Sequence, residues 1–96
     1  MSGESFESVW DAIEDTEAES ASMKLKSKLM MALSRHIEAQ GWTQTEAARA
    51  LGVTQPRISD LLRGRIALFG LESLIAMAGA ANLSVELSIS EGARAA

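Results

Sequence analysis

Residues 43–64 read TQTEAARALGVTQPRISDLLRG and contain the local signals for two short helices joined by a tight turn. Thr43 and Glu46 have the spacing of a capping box, in which each side chain accepts a hydrogen bond from the other residue's backbone amide. Gly52 then closes the first helix, because glycine adopts the positive φ of a tight turn at low cost. The pattern predicts a helix that begins after Thr43 and ends before Gly52.

The second helix is predicted from residue 55 to residue 63. Thr54 is placed to cap it, and Pro56 falls in its first turn, where a missing amide hydrogen is tolerated. Its apolar residues, which we expect to face the core, are Ile58, Leu61 and Leu62. Two short helices with a glycine turn, the second one polar on its outer face, are typical of a helix-turn-helix.

The outer face of the second helix carries side chains suited to base recognition. Glutamine can bind adenine through two hydrogen bonds, arginine can bind guanine, and aspartate can accept a hydrogen bond from cytosine. Arginines at the far end of the helix are placed to bind phosphates. As an alternative, Arg57 and Asp60 stand three residues apart and could form a surface ion pair.

Residues 44–64 resemble the helix-turn-helix of Xre-type repressors, the family of the phage repressor and Cro proteins. In that family a glutamine often opens each helix, and Gln44 and Gln55 show the same spacing of eleven positions. The resemblance implies that Gln44 binds a phosphate and braces Gln55, while Gln55 contacts a base edge. The predicted DNA-binding residues are Gln44, Thr54, Gln55, Arg57, Ser59, Asp60, Arg63 and Arg65.

The flanking segments extend the similarity, over roughly residues 6–90, to HigA-like antitoxins. The shared features are an acidic N-terminal helix (FESVWDAIED), a basic first core helix, a helix within LFGLESLIAM and a closing strand (LSVELSI). This resemblance implies a cytoplasmic repressor, nucleoid-associated when bound to DNA, that autoregulates its operon and neutralises a toxin. The alternative is a stand-alone Xre-family transcriptional regulator without a toxin partner.

Charge is distributed unevenly along a chain whose net charge is −4. Residues 1–20 contain seven acidic and no basic side chains, whereas residues 21–65 contain eight basic and three acidic ones. A basic middle beside an acidic arm suits a DNA-binding unit with a second interaction surface. The arm also has an apolar stripe at helical spacing, which predicts a helix over residues 5–15 and consists of Phe6, Val9, Trp10 and Ile13.

Two interpretations of the apolar stripe remain open. It could pack within this protein or its dimer, or it could anchor a basic, ribonuclease-like toxin as a helix in a groove. In the second case the carboxylates of the arm would steer the encounter with the basic partner.

The C-terminal region alternates apolar and polar residues, as in a strand with one buried face. The apolar positions are Leu83, Val85, Leu87 and Ile89. An otherwise helical chain supplies no partner strand, so we predict that this strand pairs with its copy in a homodimer. The predicted organisation is an arm over 1–22, a helix-turn-helix domain over 23–82, a strand over 83–90 and a frayed tail over 91–96.

Composition excludes several classes of protein. The chain has no cysteine and a single histidine, so disulfides, thiolate sites and histidine-rich metal sites are not expected. No apolar run reaches the length of a membrane span, and the N-terminus lacks the pattern of a signal peptide. Asp11, Glu14 and Asp15 are predicted on a solvated helix face, so we expect neither an enzyme nor a cofactor. The resemblance to Xre-type repressors implies an all-α, five-helix, lambda-repressor-like domain, to which the alternating C-terminal region adds a predicted β-strand.

Overall fold

The computed structural model describes residues 4–91, with side chains from residue 18 onward. Within that range, four α-helices and one 3₁₀ helix follow one another along the chain. They are α1 (Glu4–Gln40), α2 (Gln44–Leu51), α3 (Gln55–Leu62), the 3₁₀ helix (Ile66–Leu68) and α4 (Leu71–Ala80). None of the helices in the described range is long and apolar enough to cross a membrane. All regular secondary structure between residues 4 and 91 is helical, and α2 and α3 form the helix-turn-helix.

α1 is a single helix of 37 residues, where the sequence predicts an arm helix over residues 5–15 and a separate first core helix. Between these two predicted helices, residues 15–22 read DTEAESAS, a small and polar stretch that is compatible with either a helix end or a connector. That stretch contains neither glycine nor proline, and alanine and glutamate favour helix. The side chains of residues 18–21 are exposed, so the polar residues there lie on a continuous helix and do not mark its end. The prediction of five helices is wrong for the described residues, and the predicted domain boundary after residue 22 lies inside α1.

The core lies between one face of α1 and the inner faces of the other three α-helices. Its buried apolar residues are Met30, Leu33, Ile37, Ala47, Ala48, Leu51, Ile58, Leu61, Phe69, Leu74, Met77 and Ala78. The alanines on α2 are small, which lets α2 pack closely against α3 and α4. The spacing of apolar residues in α4 also predicts Ile75 in this core, but its side chain is 43% exposed. It lies beside an open groove between α1 and the C-terminal segment.

The turn between α2 and α3 follows its predicted chemistry. In the capping box, Thr43 Oγ1 accepts from the Glu46 amide at 3.1 Å, and Glu46 Oε1 accepts from the Thr43 amide at 2.9 Å. Gly52 has φ of +74°, the left-handed region that glycine adopts most easily. Thr54 Oγ1 accepts from the Arg57 amide at 3.4 Å and so caps α3. These local contacts fix where α2 stops and α3 starts.

The C-terminal segment, residues 83–91, forms neither helix nor strand, so the predicted strand is wrong for the single chain. A β-strand needs a hydrogen-bonded neighbour, and residues 4–91 contain no second strand. The Leu83 amide donates to the carbonyl oxygen of Ala78 at 2.8 Å, which ties the start of the segment to α4. Beyond it, Val85, Leu87 and Ile89 are 45%, 75% and 85% exposed. The alternating apolar face is therefore left largely uncovered.

Candidate DNA interface

α3 presents its polar side to solvent because its apolar residues hold it against the core. Ile58 and Leu61 are buried, whereas Leu62, also expected on the apolar side, is 41% exposed. Gln55 is exposed, and Ser59 and Asp60 are half-buried. Gln44 opens α2, Thr54 caps α3, and Arg63 and Arg65 follow α3 at its far end. The structure thus brings the predicted DNA-binding residues together around one helix-turn-helix.

Gln55 is held in place from α2. Thr45 Oγ1 donates a hydrogen bond to Gln55 Oε1 at 3.4 Å, and both side chains are exposed. The family resemblance implies that Gln44 provides this brace, but here the contact comes from the next residue along α2. Thr45 was missed because a contact across ten positions follows from the angle between two helices, which residue spacing does not specify.

Arg57 turns its guanidinium toward its own chain. Its Nη1 donates to the carbonyl oxygen of Leu68 at 2.7 Å, and its Cζ lies 4.1 Å from the centre of the Phe69 ring. Arg57 is half-buried, and Phe69 is 2% exposed. The alternative ion pair between Arg57 and Asp60 is not formed in this structure.

Asp60 instead lies near Arg65, with 4.0 Å between Arg65 Nε and Asp60 Oδ1. Their side chains are 54% exposed for the arginine and 29% for the aspartate, so the pair contributes at most about 1 kcal/mol to stability. Gly64, with φ of +73°, reverses the chain after α3. The Arg65 amide then donates to the carbonyl oxygen of Asp60 at 3.1 Å. Arg65 remains exposed enough to reach a phosphate.

The other predicted sites lie away from α3. An apolar groove of about 340 Å³ runs between α1, α4 and the C-terminal segment. It is lined by Leu25, Leu29, Leu71, Ile75, Val85 and Leu87, with Lys28 and Glu86 beside them. The predicted partner-binding residues belong to α1, but their side chains lie outside the described residues; they are Phe6, Val9, Trp10 and Ile13.

Comparison with known proteins agrees with this geometry. A model of a helix-turn-helix domain family matches residues 12–90, and the chain belongs to that family. It is also similar to a solved structure described as an XRE-family transcriptional regulator, with 28% sequence identity and a TM-score of 0.73. The alignment covers 81% of this chain and 88% of that one. No curated protein matches the chain. Its family and fold are those of DNA-binding transcriptional regulators, which are not enzymes.

Proposed function

We propose that this protein is a sequence-specific, DNA-binding transcriptional repressor that acts in the cytoplasm by occupying an operator. The observation that carries the proposal is the first turn of α3, where an exposed Gln55 is braced by Thr45. In helix-turn-helix proteins the N-terminal residues of the second helix contact base edges in the major groove. Gln55, Ser59 and Asp60 would face the bases, while Gln44, Thr54, Arg63 and Arg65 would contact the DNA backbone.

Gln55→Ala should weaken binding to the operator by about 1–3 kcal/mol, because one bidentate contact to a base is lost. The operator is first obtained by selecting from random DNA with the wild-type protein, and affinities are then compared at one salt concentration. Gln40→Ala, which removes an exposed glutamine at the end of α1, is the matched control and should bind like the wild type. Unchanged affinity for Gln55→Ala would contradict the assignment of α3 as the reading helix.

Arg65→Ala should weaken binding to all DNA sequences alike, because a phosphate contact carries no sequence information. The slope of log affinity against log salt should flatten by about one unit, since one fewer counterion is released. Titrations of operator and scrambled DNA at several salt concentrations measure both effects. Gln55→Ala serves as the comparison, and it should leave the salt slope unchanged. A change of slope in that variant, or none in Arg65→Ala, would refute this division of roles.

We further propose that the protein acts as a homodimer joined through its C-terminal segment. The apolar face of that segment and the adjoining groove are exposed in one copy, and an exposed apolar segment favours association. A twofold axis brings identical surfaces together, so the Lys28 and Glu86 beside the groove can each meet the opposite charge. Two recognition helices would then address half-sites about 34 Å apart.

We propose, finally, that the repressor is the antitoxin of a toxin–antitoxin pair and autoregulates its operon. The resemblance to HigA-like antitoxins and the acidic arm at the start of α1 support this role. Seven acids beside a DNA-binding domain repel phosphates, so their presence is easier to explain by a basic partner such as a ribonuclease toxin. The alternative is a stand-alone regulator, in which the acidic arm binds no toxin.

A further inference from the structure

Arg57 stands in the first turn of α3, two residues after Gln55, yet its guanidinium is engaged by its own chain. One nitrogen donates to the Leu68 carbonyl oxygen at 2.7 Å, and the cation sits 4.1 Å from the centre of the Phe69 ring. A cation within about 6 Å of an aromatic ring face is attracted by it. The charged hydrogen bond and the ring contact together favour one position of the guanidinium. We name these three residues the Arg57 clamp.

The clamp joins α3 to the segment that follows the 3₁₀ helix and enters the core. Leu68 is the last residue of the 3₁₀ helix, and Phe69 follows it and is buried in the core. The Phe69 ring is close-packed there and cannot shift without disturbing its neighbours. α3 is therefore attached at its first turn by Arg57, while Thr45 of α2 holds the adjacent Gln55.

We propose that Arg57 is a positioning residue for DNA readout and does not itself read a guanine. This inference rests on the proposed operator binding. Two parallel hydrogen bonds to guanine require the guanidinium to face the DNA, whereas that of Arg57 faces Leu68 and Phe69. By fixing the first turn of α3, the clamp sets the angle at which Gln55 meets a base edge. Misplacing that turn would impair all the base contacts of α3 together.

Two substitutions test the clamp from its two ends. Arg57→Met keeps the aliphatic stem and removes the guanidinium, and Phe69→Leu keeps a buried apolar side chain and removes the ring. Affinity is measured for the selected operator and for each of its single base-pair variants. Both substitutions should lower operator affinity about 10-fold, or about 1.4 kcal/mol. Both should also reduce the difference in affinity between the operator and its single base-pair variants, at the same base pairs where Gln55→Ala reduces that difference.

The double variant Arg57→Met/Phe69→Leu should bind within about threefold of the weaker single variant, because either change alone opens the clamp. Direct reading by Arg57 gives a different result. In that case Arg57→Met loses discrimination at one base pair where Gln55→Ala still discriminates, whereas Phe69→Leu keeps discrimination at that base pair. The losses of affinity caused by Arg57→Met and Phe69→Leu then add in the double variant. That outcome overturns the proposal.

NMR of the wild-type protein tests the clamp without any substitution, so instability of Phe69→Leu does not decide the question. The side-chain protons of Arg57 should be shifted upfield by the Phe69 ring in the free protein and should stay shifted on the operator. Loss of that shift on binding would mean that Arg57 leaves the ring for the DNA, which overturns the clamp. Failure of the wild-type protein to select any sequence contradicts operator binding itself, a separate result.

Discussion

Leu87→Lys should convert the protein from dimer to monomer and lower its affinity for a two-half-site operator about 100-fold or more. Leu87 is 75% exposed in the single chain, so the fold has little packing to lose at this position. A lysine inside an apolar dimer contact, by contrast, is costly because its charge loses water without gaining a partner. The large effect on DNA follows because two linked recognition helices bind far more tightly than one.

Analytical ultracentrifugation at micromolar concentration measures the oligomeric state, and titration of the operator measures the affinity. Ser88→Lys is the matched control, because it adds the same charge one residue further along, on the polar side of the alternating pattern. We expect that variant to remain a dimer. A wild-type protein that sediments as a monomer would refute the proposed dimer. If Leu87→Lys and Ser88→Lys dissociate the dimer to the same extent, the added charge alone, and not the apolar face, governs dimer formation.

The sequence predicted the helix-turn-helix well because its determinants are local. The reciprocal capping of α2 by Thr43 and Glu46 and the positive φ of Gly52 each depend on a few neighbouring residues. The inward positions of α3 follow from its helical period, and Ile58 and Leu61 are buried as expected. Local rules failed within α1, where the polar stretch over residues 15–22, which has neither glycine nor proline, continues the helix.

Contacts between elements could not be predicted in the same way. The partners of Arg57 lie eleven and twelve residues further along the chain, at the end of the 3₁₀ helix and just after it. Their meeting depends on how the chain turns at Gly64, so a helical-face argument could only offer Asp60 as a partner. The C-terminal strand failed for another reason, since alternation describes a side-chain pattern and not the hydrogen-bonded neighbour that a strand needs.

Deleting residues 1–16 should abolish binding of a toxin while leaving the DNA-binding domain intact. The product tested is the small basic protein that we expect to be encoded beside this gene. Full-length and truncated proteins are compared for co-purification with that product, for relief of the growth arrest it causes, for operator affinity and for thermal midpoint. The truncated protein should neither co-purify with that product nor relieve the growth arrest. Its operator affinity and thermal midpoint should match those of the full-length protein, because among the side chains described, those of residues 18–91, every core residue lies beyond residue 29.

Two full-length variants separate the two roles proposed for the arm. Replacing its apolar stripe by alanine (Phe6, Val9, Trp10 and Ile13) removes the anchor and should mainly speed dissociation. Replacing four of its seven acids by amides (Glu4, Glu7, Asp11 and Glu14) should mainly slow association and weaken the salt dependence of the association rate. Equal dissociation rates for the two variants would argue against an apolar anchor.

The competing interpretation, that the arm packs on its own protein, predicts the opposite division of effects. Losing a packed apolar stripe removes about 1–2 kcal/mol of burial, which lowers the thermal midpoint of a domain this size by several degrees. A truncated protein that is destabilised but still retains the toxin therefore contradicts the partner role. A truncated protein that keeps its thermal midpoint but no longer binds the toxin supports the partner role, because the carboxylates and the apolar stripe then act on another chain. A truncation that changes neither property favours the stand-alone regulator, for which the acidic arm has no binding function.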